Sequence, residues 1–237
     1  MRSIGRAIDL LELFDHRTPS LSLRDLVERV ELPKTTVVRL LANLESRGLV
    51  TTLREGDYTL GGGFLRWARL ASQLWEVDET THASMRRLVE RCGETTNIYV
   101  RQDEVRLSIA QHEGTSTVRT VVDVGTPMPL SNGAPAKILL GAAPDLIDRV
   151  CSEPERMRAD VEDAVTRGWA VSHGERELGA SSVAAPIVRE GRVLAALTIS
   201  GPTTRFTEER IAVYAEAVVE TAKEISGAGL GRVEVML

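Results

Sequence analysis

Residues 33–50 read PKTTVVRLLANLESRGLV. Pro33, with its fixed φ and missing amide, suits the first helical position, and Gly48 closes the run. Between them Val37, Leu40, Leu41 and Leu44 recur at three- and four-residue spacing, which predicts a helix with one buried stripe. The other face carries Lys34, Thr35, Thr36, Val38, Arg39 and Asn43. These residue types suit the reading of DNA. Arginine spans guanine through two hydrogen bonds, asparagine does the same for adenine, threonine meets a phosphate or a thymine methyl, and a helix N-terminus attracts phosphate.

The flanking sequence supplies the rest of a small DNA-binding unit. From Ser3 to Arg17 the apolar residues Ile4, Ala7, Ile8, Leu10, Leu11 and Phe14 hold helical spacing, up to the breaker Thr18-Pro19-Ser20. Ser22-Leu23-Arg24-Asp25 has capping-box spacing and opens a short helix through Leu26, Val27 and Val30. Only Glu31 and Leu32 separate it from Pro33, so the two helices must cross steeply. Beyond Gly48, segments Leu49–Leu53 and Asp57–Leu60 read as two strands joined around Glu55-Gly56-Asp57, with Arg54 in the hairpin. Helix, helix, helix and hairpin make a winged helix-turn-helix over residues 1–62.

The chain has 237 residues, 43% hydrophobic and 27% charged, enough for roughly two domains. Its formal net charge is -5, yet residues 1–66 hold ten bases against nine acids, which leaves about -6 for the remainder. The helix at 34–46 is therefore a local positive face on an acidic protein, and local sign governs approach to a polyanion. No apolar run reaches the roughly 18 residues of a membrane span, and Met1–Arg6 leads into an amphipathic pattern, so a cytoplasmic protein without membrane association is expected. Cys92 and Cys151 stand far apart with no clustered ligands, which predicts buried free thiols and no metal site. His16, His82, His112 and His173 have no companion motif, and the sequence lacks a nucleophile elbow or a phosphate-binding glycine loop, so neither catalysis nor a cofactor is expected.

LPKTTVVRLLANLESRGLV followed by GDYTLGGG resembles the DNA-binding half of the IclR-type transcriptional regulators. The resemblance extends over almost the whole chain. PLSNGAPAKILLG (129–141) looks like the family's ligand-loop and helix signature, TRGWAVSHGERELGASSVAAPI (166–187) like its most distinctive segment, and VLAALTISGP (193–202) like its last core strand. Departures are Ala136 where glycine commonly precedes the lysine kept here as Lys137, Pro135 within that motif, and His173 at an often acidic position. The implied fold class is mainly α plus α+β. A linker helix over 63–79 and a GAF-like effector-binding domain over 80–237 follow the winged helix-turn-helix.

Within the linker Phe64, Trp67, Ala68, Ala71, Leu74 and Trp75 recur every three or four residues, with Leu65 and Leu70 widening the apolar surface. Trp67, Leu70, Leu74 and Trp75 are the expected subunit contacts, since the resemblance implies dimers built through this region. Packing within the chain is the competing reading. The larger domain alternates a helix through Cys92, strands at 97–100, 105–111 and 118–122, helices at 134–141 and 153–167, strands at 169–172, 182–188 and 193–200, and a closing helix at 208–226. Strand alternation puts Leu194, Ala196, Thr198 and Ser200 on one face, and Ser182 with Ala184 on a face of the preceding strand. Free amides at 131–134, where a loop enters a helix, suit a carboxylate. The positions matching the family's effector contacts are Ala134, Pro135, Ser172, Ser182, Thr198 and Ser200. The expected function is a repressor of a catabolic operon that binds double-stranded operator DNA as a homodimer or tetramer, controlled by a small organic acid or aromatic catabolite. An enzyme using the GAF-like domain and an architectural DNA-binding protein are the alternatives.

Overall fold

The computed structural model describes all residues but Met1 and His16, and all of their side chains but that of Arg2. Two compact units divide the chain, Met1–Gln73 and Leu74–Leu237, with the boundary inside the segment read as a linker.

The first unit contains α1 (Arg2–Leu11), β1 (Ser20–Leu21), α2 (Leu23–Val30), α3 (Lys34–Ser46), β2 (Val50–Thr52), β3 (Tyr58–Leu60) and most of α4 (Phe64–Trp75). Helix α1 stops short of the expected Arg17. Asp15 Oδ1 accepts hydrogen bonds from the amides of Arg17 (2.7 Å) and Thr18 (2.6 Å) and from Thr18 Oγ1 (2.9 Å), and this local side-chain bonding turns the chain. The stretch read only as a breaker also supplies β1, which makes a three-stranded sheet in the order β1-β3-β2. The capping box forms as spaced: Asp25 N donates to Ser22 Oγ and Ser22 N donates to Asp25 Oδ2, both at 3.2 Å. Glu31 then ends α2 in the left-handed region at φ 53°. Pro33 sits at the N-cap, one residue before its expected place, and its carbonyl accepts from Thr36 N and Val37 N. Leu10, Leu26, Val37, Leu41 and Leu44 form the buried core of this unit, while Leu40 packs at its margin.

The second unit contains α5 (Glu79–Cys92), β4 (Thr95–Gln102), β5 (Val105–His112), β6 (Pro127–Pro129), α6 (Ala134–Gly141), α7 (Ile147–Val150), α8 (Pro154–Arg167), β7 (Ala170–His173), β8 (Ala180–Arg189), β9 (Arg192–Pro202) and α9 (Glu208–Ala228). Its six strands form one antiparallel sheet in the order β6-β5-β4-β9-β8-β7. One face buries Ile98, Val183, Ile187, Leu197 and Ile199 with residues of α5 and α9, among them Met85, Leu88, Tyr214 and Val218. The other face buries Tyr99, Ala184 and Ala196 with residues of α6 and α8, among them Leu139, Leu140, Met157 and Val161. This is the expected α+β layering, with helices on both faces of the sheet.

Three expectations need correction here. Residues 118–122 form no strand, because β6 already occupies the outer edge of β5 and the Val122 carbonyl accepts from Asn97 Nδ2 at 3.1 Å. Leu194 does not share a face with Ala196. The β8–β9 register slips between Ile187↔Ala195 and Val188↔Val193, so Leu194 is the unpaired residue of a bulge and packs with the α5 and α9 core. Cys92 is a buried free thiol, its pKa pushed up to about 11 chiefly by burial, but Cys151 is only half-buried. Among the described residues no helix is long and apolar enough to cross a membrane, and no cluster of His, Cys, Asp or Glu is arranged to hold a metal.

Glu94, 1% exposed, is held by Arg205 through paired hydrogen bonds, with Nη2 to Oε2 at 2.6 Å. Arg205→Leu leaves a buried carboxylate without its cation and is expected to cost about 3 kcal/mol. Thermal denaturation of the full chain reads this as a lower melting temperature, and Glu94→Gln introduced into Arg205→Leu should restore part of the loss.

Candidate functional site

Two surfaces carry candidate chemistry, one in each unit. In the first, Lys34, Thr35, Val38, Arg39 and Asn43 are exposed along α3, and Thr36 is half-buried near its start. Val38 is 42% exposed, high for a valine on a helix with an apolar stripe of its own. Arg54 is exposed in the turn between β2 and β3, where Gly56 at φ 90° lets the chain reverse. The wing is tied to α3 by Glu45, whose Oε1 accepts from Thr52 N (3.2 Å) and Thr52 Oγ1 (2.8 Å). Its position is thus fixed relative to the helix. Asn43 spends one amide hydrogen on the Arg39 carbonyl at 2.7 Å, which orients its side chain along the helix and leaves Oδ1 available.

The electrostatics of this surface are selective. Arg24 is neutralised by Glu28 at 2.9 Å, whereas among the described residues Lys34, Arg39, Arg47 and Arg54 form no ion pair. Four cations without an ion-pair partner thus stand on α3, the residue after it and the wing, and cations of this kind are the ones that release a polyanion's counterions.

In the second unit a cavity of about 40 Å³ opens between the sheet and α6. Five of the six residues expected at an effector site line it: Pro135, Ser172, Ser182, Thr198 and Ser200. Three of them form one row across the sheet, because Ser172 pairs with Ser182 and Ser182 with Ser200 in register, with Ser172 Oγ and Ser182 Oγ 2.9 Å apart. The sixth, Ala134, is fully buried in the apolar layer under α6 and does not reach the cavity; Gly133 lines it instead.

Of the amides expected to be free at the start of α6, that of Gly133 is taken. Glu175, in the loop between β7 and β8, accepts from Gly133 N at 2.8 Å and from Lys137 Nζ at 2.7 Å, and Lys137 also reaches Asp160 (2.9 Å) and the Val171 carbonyl (3.1 Å). A carboxylate of the protein itself occupies the anion position at this helix terminus.

Sequence reasoning missed Tyr99, Arg106, Thr120, Val122, Met128, Arg176, Ala180 and Ser181, which complete the lining. Arg106 is 2% exposed. Its Nη1 donates to the carbonyls of Pro129 and Asn132, and its Cζ lies 5.6 Å from the centre of the Tyr99 ring. Burial pushes its pKa down to about 10, which still leaves it charged at neutral pH. The only signal in the sequence was an arginine inside an otherwise apolar and hydroxylated strand, VRLSIAQH.

The family model described as "IclR helix-turn-helix domain" matches residues 3–54, and that described as "Bacterial transcriptional regulator IclR C-terminal" matches residues 71–227. The chain is 30% identical to the HTH-type transcriptional regulator KipR of Bacillus subtilis (strain 168) over 240 residues, covering 95% of this chain and 96% of that one. It is 26% identical to the transcriptional repressor IclR of Escherichia coli (strain K12) over 244 residues, covering 95% and 89%. Among solved structures, an IclR-family regulator from Rhodococcus sp. shares 48% identity at a TM-score of 0.67, covering 98% of this chain and 95% of that one. An IclR homolog from Microbacterium hydrocarbonoxydans complexed with 4-hydroxybenzoate shares 22% identity at a TM-score of 0.76, covering 96% and 100%.

Glu175→Ala removes the partner of both the Gly133 amide and the nearly buried Lys137. With Asp160 still in place, the expected loss is about 2 kcal/mol, measured as a drop in melting temperature. A variant as stable as the parent would mean that the Asp160 contact alone satisfies the lysine.

Proposed function

Since the chain belongs to the IclR family and is a DNA-binding transcriptional regulator, we propose that it is a cytoplasmic repressor of a catabolic operon, without catalytic activity of its own. In this reading it binds paired half-sites as a dimer, and a small organic acid or aromatic catabolite in the C-terminal cavity controls it. The observation that carries the DNA-binding assignment is the uncompensated positive face of α3 and the wing. Arg39 reads a base edge, Lys34, Thr35 and Thr36 fix the helix N-terminus on phosphate, Val38 and Asn43 face the groove, and Arg54 touches backbone or minor groove.

Dimerisation is proposed through α4. None of its twelve residues is buried within the chain, and Trp67 (49%), Leu70 (56%) and Leu74 (41%) present apolar surface to solvent. A run of this kind on a soluble protein marks an interaction surface more often than a tolerated defect. Trp75 differs from the other three: it is half-buried and packs against the α5 and α9 core, so its proposed part in the interface is that of a support. Two recognition helices must be held about 34 Å apart to read successive major-groove half-sites, which a subunit contact achieves. Effector binding and DNA binding are then linked, and each must change the other's affinity by the same factor.

Arg39→Ala is expected to weaken binding to the operator by about 1 to 3 kcal/mol while leaving binding to scrambled DNA nearly unchanged. Lys34→Ala should instead weaken both and flatten the dependence on salt. Fluorescence anisotropy at two salt concentrations separates the two patterns, and an Arg39→Ala protein with unaltered operator affinity would remove α3 as the reader. Leu70→Glu with Leu74→Glu should convert the dimer to monomers by light scattering and cost about 100-fold in operator affinity. A retained dimer with normal DNA binding would place the subunit contact elsewhere.

A further inference from the structure

We propose that Arg106 is the residue of the C-terminal cavity that recognises a carboxylate, and that the effector therefore lies with its acid group on this guanidinium and not at the N-terminus of α6. The proposal rests on reading this cavity as the effector site and adds to that reading the orientation and charge of the occupant.

Arginine is among the residues least often buried without a partner. Arg106 is 2% exposed, yet among the described residues no carboxylate lies within ion-pair distance of it. Backbone carbonyls take up Nη1 only, and Nε is buried with no hydrogen-bond partner. The edge formed by Nε and Nη2 is the one through which arginine holds two oxygens of a carboxylate in parallel. Gly133 keeps that side open, since a Cβ at this position would stand 3.3 Å from Nη2. Among the described residues no aspartate or glutamate lines the cavity, and the other charged residue there is Arg176, which pairs with Glu177 at 3.6 Å. An anionic occupant thus meets in Arg106 a cation with no carboxylate partner. The Gly133 amide is closed as an alternative anchor, because Glu175 already holds it.

A second pair of unused groups lies on β9, at the cavity wall, and on the adjoining β4. Thr198, 2% exposed, has a buried Oγ1 with no partner, and Asn97, its neighbour in register on β4, has a buried Oδ1 in the same condition. Buried polar atoms are nearly always paired, so unsatisfied ones at a cavity wall point to an absent partner. Thr198 supplies both a donor and an acceptor, which fits a second polar group, a hydroxyl or carbonyl, on the acid. The occupant class is a small hydroxy, oxo or dicarboxylic acid.

The test is a thermal-shift panel on the full chain with lactate, succinate, benzoate and 4-hydroxybenzoate, each beside its neutral amide, and with phosphate and sulfate at matched ionic strength. At least one acid is expected to raise the melting temperature while its amide does not. Arg106→Gln should weaken that acid by roughly 30-fold or more in calorimetry, and Ser200→Leu should abolish its binding. The comparison of acid with amide needs no variant, so it stands even where Arg106→Gln fails to fold. An amide that binds as well as its acid, a panel with no stabilising acid, or an Arg106→Gln protein with parental affinity overturns the proposal. Phosphate or sulfate matching the best acid overturns the carboxylate assignment in favour of a general oxyanion site. Undiminished acid binding in Ser200→Leu removes the cavity reading itself, whereas loss in Ser200→Leu with retention in Arg106→Gln keeps the cavity and removes Arg106.

Discussion

Successive side chains of a strand point to opposite faces, so β9 must serve two interiors at once. Ala195, Leu197 and Ile199 enter the apolar core shared with α5 and α9, while Ala196, Thr198 and Ser200 face the α6 side. A single slip in its pairing would drive hydroxyls into the core and leucine into the cavity. Register is held on both flanks, by β4 through Ile98↔Leu197 and by β8 through Ser182↔Ser200. The cavity exists because this alternation changes character along one strand: alanine near one end packs against helices, and threonine and serine near the other leave polar surface and space.

Charge is distributed by the same economy. The chain is acidic as a whole, yet each of its two candidate ligand surfaces includes a cation without an ion-pair partner among the described residues. On α3 and the wing they are solvated and suited to a polyanion. In the cavity one of them is buried, with a ring face and two carbonyls as its company. The other buried cation among the described residues, Lys137, is by contrast held between Glu175 and Asp160, and the buried Glu94 is held by Arg205. The contrast within one molecule gives the uncompensated positions their meaning.

Helix α3 and the capping box of α2 were legible because local rules decide them: a buried stripe at helical spacing and a serine three residues before an aspartate. The hydroxyl row was legible as strand alternation joined to a family resemblance. What escaped depends on contacts distant in sequence. Arg106 alternates along β5 as a solvated residue would, and only the carbonyls of residues 129 and 132 folding over it make it interior. Leu194 was misplaced because one bulge inverts the alternation locally. The start of α6 was expected to be vacant since nothing in the sequence tells that Glu175, some forty residues later, returns to fill it.

Where α3 gives way to the wing, backbone meets backbone with no side chain between. A Cβ at Gly61 would lie 2.2 Å from the Gly48 carbonyl oxygen, and one at Gly63 would lie 2.7 Å from it, while Gly48 itself holds φ 69°. Gly61 and Gly63 accept no side chain unless this backbone contact opens, and the left-handed φ of Gly48 favours glycine there. In the proposed reading of DNA, the angle between α3 and the wing is therefore set by backbone contact, and a change of specificity falls to the exposed positions of α3 and the turn at Arg54.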